Sequence, residues 1–171
     1  MIATTDRLDI DVLTRKDAPF LLSLMTSPPC LRFIEDRGLR SVEDAERYLA
    51  ARYLSAYARY GFGYYIALTR IDDTPIGICG FLKRPELAHP DFGFALMPDV
   101  FGAGYAFELG RAVLEFARSR LDLDVVDALT AKDNAGSVRL LEKLGFELIC
   151  NIPTETDRAP DLLFRLSLDR Q

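Results

Sequence analysis

The sequence lacks any strong concentration of basic or apolar residues. It has no run of five or more lysines and arginines, and its formal net charge is −5. Because a nucleic-acid partner requires a basic surface that displaces counterions, this balance argues against one. No uninterrupted apolar stretch approaches the roughly 18 residues that a membrane span needs, and no apolar segment follows a basic one at the N-terminus. The sequence therefore predicts a cytoplasmic protein with no signal peptide and no membrane contact.

Cysteine and histidine are also scarce. The chain has one histidine and three widely spaced cysteines, Cys30, Cys79 and Cys150. These form neither a disulfide framework nor a CxxC metal pair. None of the three stands in a motif with a histidine and an acid, as a nucleophile would. We expect three buried, reduced thiols, no metal ion and no covalent intermediate.

Length and composition fit one folded domain. Hydrophobic residues make up 49% of the 171 residues and charged residues 27%, as in ordinary globular proteins. At about 150 residues per domain, this length argues for a single domain. No repeat, low-complexity tract or linker divides the chain, so the prediction is one domain over residues 1–171. Nothing in the sequence chooses between a monomer and a homodimer.

Hydrophobic periodicity predicts the order of the strands and helices. Alternating or short apolar runs predict strands at 7–13, 64–69, 76–82, 91–97, 123–131, 146–150 and 162–168. Helical spacing and capping residues predict helices at 14–25, 41–60, 105–120 and 134–144. The first helix should stop by Ser27-Pro28-Pro29, since proline disfavours helical geometry in the preceding residue. This order predicts an α/β fold with one mixed, mostly antiparallel twisted sheet of about six to seven strands and about four flanking helices.

The most informative segment is Phe101-Gly102-Ala103-Gly104-Tyr105-Ala106, between a predicted strand and a predicted helix. Small residues let the backbone approach a ligand, and the helix start presents unpaired N–H groups. Both features suit a pyrophosphate, although such a turn is often only a tight turn. A dinucleotide fold fits poorly, because Phe107 occupies the third glycine position of GxGxxG. Too few residues follow for a second nucleotide-binding unit.

Three motifs in order resemble those of the GNAT superfamily of acyl-CoA-dependent N-acetyltransferases. They are GAGYAFE at 102–108, NAGSV at 134–138 and EKLGF at 142–146. The resemblance covers nearly the whole chain and is closest to the RimJ/RimL-like branch, which acetylates protein N-termini and small amines. It implies an enzyme that moves acetyl from acetyl-CoA to a primary amine by direct transfer in a ternary complex. The residues that it implies for coenzyme A binding are Phe101, Gly102, Ala103, Gly104, Tyr105, Ala106, Asn134 and Ser137.

Two departures from the family pattern bear on the chemistry. The pyrophosphate loop of the family begins with Gln or Arg, and here that position is Phe101. Many members carry a tyrosine in the last helix as general acid for the leaving thiolate, and here that position is Leu141. Ser137 is a weak alternative donor, and water is another. Asn134 fits helix capping as well as ligand contact. The departures leave open a catalytically inactive module that only binds coenzyme A.

The resemblance also implies that the strand after residue 91 parts from the strand at 123–129 to admit the pantetheine arm. Its backbone N–H groups would stabilise the negative oxygen that develops in the transition state. The residues expected to contact the cofactor along this strand are Ala95, Leu96 and Met97. Either Asp91, which opens the strand, or His89, the only histidine, is expected to be the general base.

The acceptor site is expected in the loop between the first two predicted helices. Glu35 and Asp36 lie in this loop and would attract a cationic amine. The plainer interpretation of such a charged loop is a solvated surface. Similarly, Asp91 has the plain interpretation of a strand-initiating acid, and His89 that of an exposed loop residue.

Overall fold

A computed structural model describes residues 1–153 and 161–168, which form one eight-stranded sheet with helices packed on both faces. The strands are β1 (Ala3–Thr4), β2 (Leu8–Val12), β3 (Tyr64–Thr69), β4 (Pro75–Leu82), β5 (Asp91–Leu96), β6 (Val125–Ala131), β7 (Glu147–Ile152) and β8 (Asp161–Ser167). Their spatial order is β1-β2-β3-β4-β5-β6-β8-β7. Among the strands of the described residues, β5 and β6 are the one parallel pair, so the predicted mixed, mostly antiparallel sheet is confirmed. The additional strand is β1, which is too short to show an alternation in sequence.

The helices are α1 (Ala18–Met25), α2 (Pro28–Phe33), α3 (Val42–Leu49), α4 (Ser55–Tyr60), α5 (Tyr105–Arg120) and α6 (Ala135–Lys143). A π-helical turn, Ala50–Leu54, joins α3 to α4 without a break, so the predicted helix at 41–60 is confirmed as one continuous segment. The sequence prediction missed α2. Pro28 and Pro29 occupy its first turn, where a missing N–H removes no helical hydrogen bond.

Side-chain caps fix the starts of the first two predicted helices. The Asp17 carboxylate accepts a hydrogen bond from the Thr14 N–H at 2.7 Å. At α3, the Ser41 hydroxyl accepts from the Asp44 N–H at 3.2 Å, and Asp44 accepts from the Ser41 N–H at 3.0 Å. Gly61, with φ +75°, ends α4 in the left-handed conformation. The local signals therefore placed both ends of the α3–α4 segment.

Alternate residues of the central strands face two separate cores. Tyr65, Cys79, Phe81 and Phe92 belong to the larger core, which packs under α5. Ile66, Ile78 and Ala95 belong to the smaller core, which packs under α1 and α3. The two helix layers therefore lie on opposite faces of β3, β4 and β5.

The prediction of three buried thiols is wrong for one cysteine. Cys30 and Cys79 are buried, but Cys150 is exposed on β7, the strand at one edge of the sheet. Its neighbours Leu148 and Ile149 are exposed as well. An edge strand beyond the helix layers has no face that is fully covered, and apolar composition alone does not reveal this. No helix within residues 1–153 and 161–168 is both long and apolar enough to cross a bilayer.

Candidate active site

The two parallel strands at the centre of the sheet part almost as soon as they meet. The only residue pair in register between β5 and β6 is Asp91 with Asp127. There the Asp127 N–H donates to the Pro90 carbonyl at 2.9 Å. Antiparallel partners continue on the outer side of each strand, β4 beside β5 and β8 beside β6. The sheet thus contains a wedge-shaped gap that opens toward the C-terminal ends of β5 and β6.

The Asp91 side chain occupies the point of this gap. It is 3% exposed, and one carboxylate oxygen accepts a hydrogen bond from the Leu129 N–H at 3.2 Å. The other oxygen is paired with Arg84 Nε at 2.5 Å. In a continuous parallel ladder, a β5 carbonyl would accept from the Leu129 N–H. The carboxylate takes that place, so β6 separates from β5 without leaving a buried N–H unpaired.

Burial raises the pKa of the Asp91 carboxyl, and the ion pair with Arg84 opposes this effect without cancelling it. Tyr64 lies on the same face of the sheet. Its ring passes over Gly93, where any side chain would overlap the tyrosine hydroxyl. The point of the gap is therefore a crowded, largely desolvated position with one carboxylate, one guanidinium and one phenol close together.

The backbone N–H groups of β5 point alternately toward β4 and toward the gap beside β6. The Met97 N–H donates to the Ile76 carbonyl of the β4 segment at 2.8 Å. Because N–H groups alternate in direction along a strand, the Ala95 N–H faces β4 too, whereas those of Phe94 and Leu96 face the gap. Of the three residues predicted here, only Leu96 turns its N–H toward the gap. Phe94 was not singled out for cofactor contact, because register against β4 cannot be inferred from the sequence of β5 alone.

The glycine loop, residues 101–106, lies just beyond the open end of β5. Gly102 and Gly104 have φ values of +77° and +83°, a conformation that favours glycine. Their N–H groups, with those of the first turn of α5, have no helical acceptor. The N–H groups of Phe101 and Ala103 donate to Pro98 and Val100 carbonyls at 3.1 and 3.5 Å. The loop therefore forms a concave set of donors at a helix N-terminus, which fits a pyrophosphate.

Arg7, which the sequence analysis missed, supports this loop from the first β-hairpin. Its guanidinium donates to the Ala103 carbonyl at 2.9 Å and lies 4.1 Å from the centre of the Tyr105 ring. It also forms an ion pair with Glu108 at 2.5 Å. Burial raises the pKa of Glu108, but hydrogen bonds from Thr5 and Arg7 outweigh burial and lower it. Arg7 thus neutralises a carboxylate that would otherwise repel an anion at the start of α5.

The start of α6 confirms one of the two interpretations of Asn134. Its side-chain oxygen accepts from the Ser137 N–H at 3.2 Å, so Asn134 caps the helix. Both residues are partly exposed and remain candidates for a ligand contact. Leu141, at the position of the family tyrosine, is 1% exposed within the larger core.

The remaining predicted residues are spread around the site. His89 is half-buried in the loop that leads into β5, two residues before Asp91. Glu35 pairs with Arg37 at 3.3 Å. Asp36 pairs with Arg40 at 2.5 Å, and hydrogen bonds from Arg40 and the Gly38 N–H lower its pKa to about 2. Glu35 and Asp36 are held by Arg37 and Arg40 in their own loop, and neither acid lines a cavity between the α3–α4 segment and the sheet.

Two adjoining cavities lie between the α3–α4 segment and the sheet. The inner one, of about 40 Å³, is lined by three arginines and three tyrosines among other residues: Arg37, Arg52, Arg84, Tyr48, Tyr53 and Tyr64. Phe94 and Ala95 of β5 also line it, so it lies beside the gap. The outer one, of about 380 Å³, shares the side chains of Tyr48, Arg52 and Leu82 with it. We call the pair the arginine cavity. Its residues come from separate segments of the chain, so no local sequence motif predicts it.

The family model for the acetyltransferase (GNAT) domain matches residues 7–147. The chain is 26% identical over 148 residues to the uncharacterized N-acetyltransferase YoaA of Bacillus subtilis (strain 168), covering 85% of this chain and 82% of that protein. It is 22% identical over 144 residues to the uncharacterized N-acetyltransferase p20 of Bacillus licheniformis, covering 84% and 80%.

Solved structures share the fold over nearly the full length. RimL, the ribosomal L7/L12 alpha-N-protein acetyltransferase in complex with coenzyme A, superimposes with a TM-score of 0.87 at 15% identity, covering 99% of each chain. The spermidine N-acetyltransferase of Vibrio cholerae, in complex with CoA and spermine, gives 0.81 at 17% identity, covering 97% of this chain and 98% of that one. These structures show the same fold, and the family model that matches residues 7–147 shows that the chain belongs to the GNAT family of acetyltransferases.

Proposed function

We propose that the protein transfers the acetyl group of acetyl-CoA directly to a primary amine, in a ternary complex and without a metal ion. The observation that carries this proposal is the gap that starts at Asp91 and Asp127 and opens toward the glycine loop. A long, thin cosubstrate with an anionic group partway along it fits such a path. The similarity to RimL also supports a place in the RimJ/RimL-like branch, and the three free cysteines support a cytoplasmic location.

In this proposal, the glycine loop holds the pyrophosphate and the gap holds the pantetheine arm. The pyrophosphate oxygens accept hydrogen bonds from the N–H groups of Gly102, Gly104 and the first turn of α5. The pantetheine amides pair with backbone groups that β5 and β6 do not use on each other. Phe94 and Leu96 turn N–H groups into this gap. One of these groups donates to the thioester carbonyl as negative charge develops on its oxygen.

Asp91 is proposed as the group that removes the amine proton. A carboxylate has about four acceptor positions, so its contacts with Leu129 and Arg84 leave room for a proton or a water. The raised pKa makes it a stronger base than an exposed aspartate. The amine nitrogen then forms a bond to the acetyl carbon, the carbon–sulfur bond breaks, and the amine proton passes to Asp91. His89 is the rival for this role.

The leaving thiolate must gain a proton. Leu141 has no proton to give. The Ser137 hydroxyl, at the start of α6, is the proton donor that was predicted from the sequence. A free thiol has a pKa of about 8.5, so its thiolate is a moderate leaving group and water is an adequate proton source. The missing tyrosine is the observation that favours the second candidate function, a module that binds coenzyme A without catalysis.

One experiment separates the two functions. Coenzyme A binding is measured by calorimetry, and thiol release from acetyl-CoA is followed with a thiol reagent in the presence of a panel of primary amines. The proposed enzyme binds coenzyme A and releases thiol only when an amine is present, with acetylated amine in equal amount by mass spectrometry. Binding without amine-dependent release would identify the inactive module. Absence of binding would contradict both.

A further inference from the structure

We infer that the acceptor amine carries a carboxylate, and that this carboxylate binds in the arginine cavity beside β5. The inference rests on the proposed transfer to an amine and names the class of that amine. It differs from the expectation drawn from Glu35 and Asp36, which placed acidic side chains at the acceptor site to attract a cationic amine. Four features of the cavity support it, namely an unpartnered buried donor, an excess of cations, a set of neutral donors and the size of the inner cavity.

The unpartnered donor is Nε of Arg37. This atom is buried and has no hydrogen-bond partner within the described part of the chain. The same guanidinium reaches Glu35 only through Nη1, at 3.3 Å. A buried donor without an acceptor destabilises the folded protein, and more so when the group is charged. An anionic oxygen in the inner cavity, which Arg37 lines, would remove that cost.

The cations of the cavity outnumber the acids that balance them. The side chains that line the two cavities include five cations: Arg37, Arg52, Arg59, Lys83 and Arg84. Across residues 1–153 and 161–168, no acidic residue lines either cavity. Glu35 pairs with Arg37, while Glu86 and Asp91 both pair with Arg84. No ion pair to a described acid involves Arg52, Arg59 or Lys83, so the wall keeps unbalanced positive charge in a protein of net charge −5.

Tyrosines supply neutral donors to the same space. Tyr48 packs edge-on against Tyr53 with ring centres 5.6 Å apart, and Tyr53 packs against Tyr64 at 5.2 Å. Burial raises the pKa of Tyr53 and Tyr64 well above the ordinary value. Their hydroxyls therefore stay protonated and can donate hydrogen bonds at any physiological pH. Hydroxyl donors of this kind stabilise a carboxylate on the acceptor molecule. An ammonium group in the same place would find only the weakly accepting hydroxyl oxygens.

Size and position match a carboxylate close to the transfer point. The inner cavity of about 40 Å³ is roughly three times the 10–15 Å³ that one water needs, which suits a group of three heavy atoms. Phe94 and Ala95 of the parting strand form one wall, and Arg84 joins the cavity to Asp91. An acceptor with its carboxylate among the arginines therefore has its amine directed to the gap.

The test compares acceptors of equal length and opposite charge. 5-Aminopentanoate and 1,5-diaminopentane each carry a primary amine at one end of a five-carbon chain. The far end is a carboxylate in the first compound and a second, protonated primary amine in the second, so kcat/KM is compared per primary amine. We expect kcat/KM to be at least about tenfold higher for 5-aminopentanoate, or about 1.4 kcal/mol, because its carboxylate accepts charge-assisted hydrogen bonds that an ammonium cannot accept. Equal values, or a preference for the diamine, would overturn the inference while leaving the acetyltransferase activity established. A C-terminally amidated tripeptide with a glutamate side chain, compared with its glutamine form, distinguishes a peptide source of the carboxylate from a free amino acid.

Two variants and a control assign the preference to the cavity. Arg52→Gln and Arg37→Gln should each reduce the 5-aminopentanoate advantage at least about fivefold, with coenzyme A affinity unchanged. Arg47→Gln is the matched control, since Arg47 is on α3 but is 73% exposed and pairs with Asp44. Calorimetry with N-acetyl-5-aminopentanoate measures carboxylate binding without turnover. Failure of this compound to bind, or binding that Arg52→Gln and Arg37→Gln leave unchanged, contradicts the inference even if no amine is acetylated.

Discussion

The glycine loop and the arginine cavity lie at opposite ends of the proposed reaction path and are built in different ways. The loop is one stretch of six residues in which Gly102 and Gly104 adopt positive φ, and the N–H groups of these two glycines and of the first turn of α5 have no helical acceptor. The cavity is formed by residues from α1, the α2–α3 connection, α3, the π-helical turn, α4, β3, β4, the β4–β5 connection and β5. One site uses main-chain donors in sequence order, whereas the other uses side-chain donors collected by the fold.

This difference separates what the two sites can recognise. Backbone N–H groups at a helix start can bind any chemically similar anion, and their arrangement depends on the conformation of the glycines. Side-chain donors at fixed distances select the shape and charge of one acceptor. We therefore expect substitutions in the loop to weaken coenzyme A binding for every acceptor, and substitutions in the cavity to change the choice of acceptor. Asp91 stands where the two regions meet, so its replacement should affect catalysis most.

The largest expected effect is on turnover in Asp91→Asn. Loss of the proposed base should lower kcat at least about 100-fold and remove the fall in rate on the acid side of the pH profile. Asp127→Asn is the matched control, because Asp127 is also buried and paired with an arginine, Arg165, at 2.7 Å. Both variants should lose comparable stability in urea, and only Asp91→Asn should lose turnover. If His89→Ala alone removes the acid limb while Asp91→Asn keeps it, the histidine is the base.

The next largest effect is expected in Gly104→Glu. A carboxylate beside the pyrophosphate, at a residue with φ +83°, should cost about 2 kcal/mol of binding, or about 30-fold in coenzyme A affinity. Gly61→Glu is the control, since Gly61 has φ +75° with no atom near the added Cβ. It bears the same backbone strain far from the loop. Calorimetry on both folded variants decides, and unchanged affinity in Gly104→Glu would disprove the loop assignment.

A smaller effect should follow from Arg7→Leu. This change leaves the Glu108 carboxylate unneutralised at the start of α5, so coenzyme A affinity should fall about tenfold, near 1.4 kcal/mol. The double variant Arg7→Leu/Glu108→Gln removes the uncompensated charge and should recover most of the affinity. If the double variant binds as weakly as Arg7→Leu, Arg7 acts on the ligand directly rather than through Glu108. Coenzyme A binding by both variants is measured at the same salt concentration, because salt screens the repulsion between the Glu108 carboxylate and the pyrophosphate.

Replacing Ser137 should change turnover little. If water protonates the thiolate, Ser137→Ala should keep kcat within about threefold of the parent, whereas a general acid contributes about 100-fold or more. Pre-steady-state thiol release, measured beside steady-state turnover, shows whether the chemical step is affected. A loss near 100-fold in that step would assign the proton to Ser137.

The smallest expected effect concerns stability at low pH. The pKa of Glu108 is lowered in the folded protein, so its contribution to stability is present above the ordinary glutamate pKa and is lost as pH falls through the folded value. Because Arg7 is 44% exposed, the contribution is small, about 0.5 kcal/mol. Urea unfolding at pH 6 and pH 3 should show a smaller decrease for Glu108→Gln than for the parent. An equal decrease would show that this pair does not stabilise the loop.

Most of the elements could be predicted from the sequence because their signals are local. Capping residues at Thr14 and Ser41, glycine at the end of α4 and alternation in β2 each act within a few residues. The predictions were wrong where the same local sequence pattern is compatible with two structures. Pro28 and Pro29 end α1 but also begin α2, and the two residues of β1 show no periodicity. An apolar edge strand resembles a buried one, so Cys150 was placed inside.

The glycine loop was predictable for the same reason, since the spacing of Gly102 and Gly104 encodes its conformation residue by residue. The sequence by itself thus determined the order of most elements, the conformation of the glycine loop and the cap at Asn134. Tertiary structure alone decided that Asp91 replaces a ladder carbonyl at the point of the gap, that Arg7 covers Glu108, and that scattered arginines line one cavity. These contacts join residues far apart in the chain, and their geometry depends on strand register and on the packing of helices over the sheet, which no short sequence pattern contains.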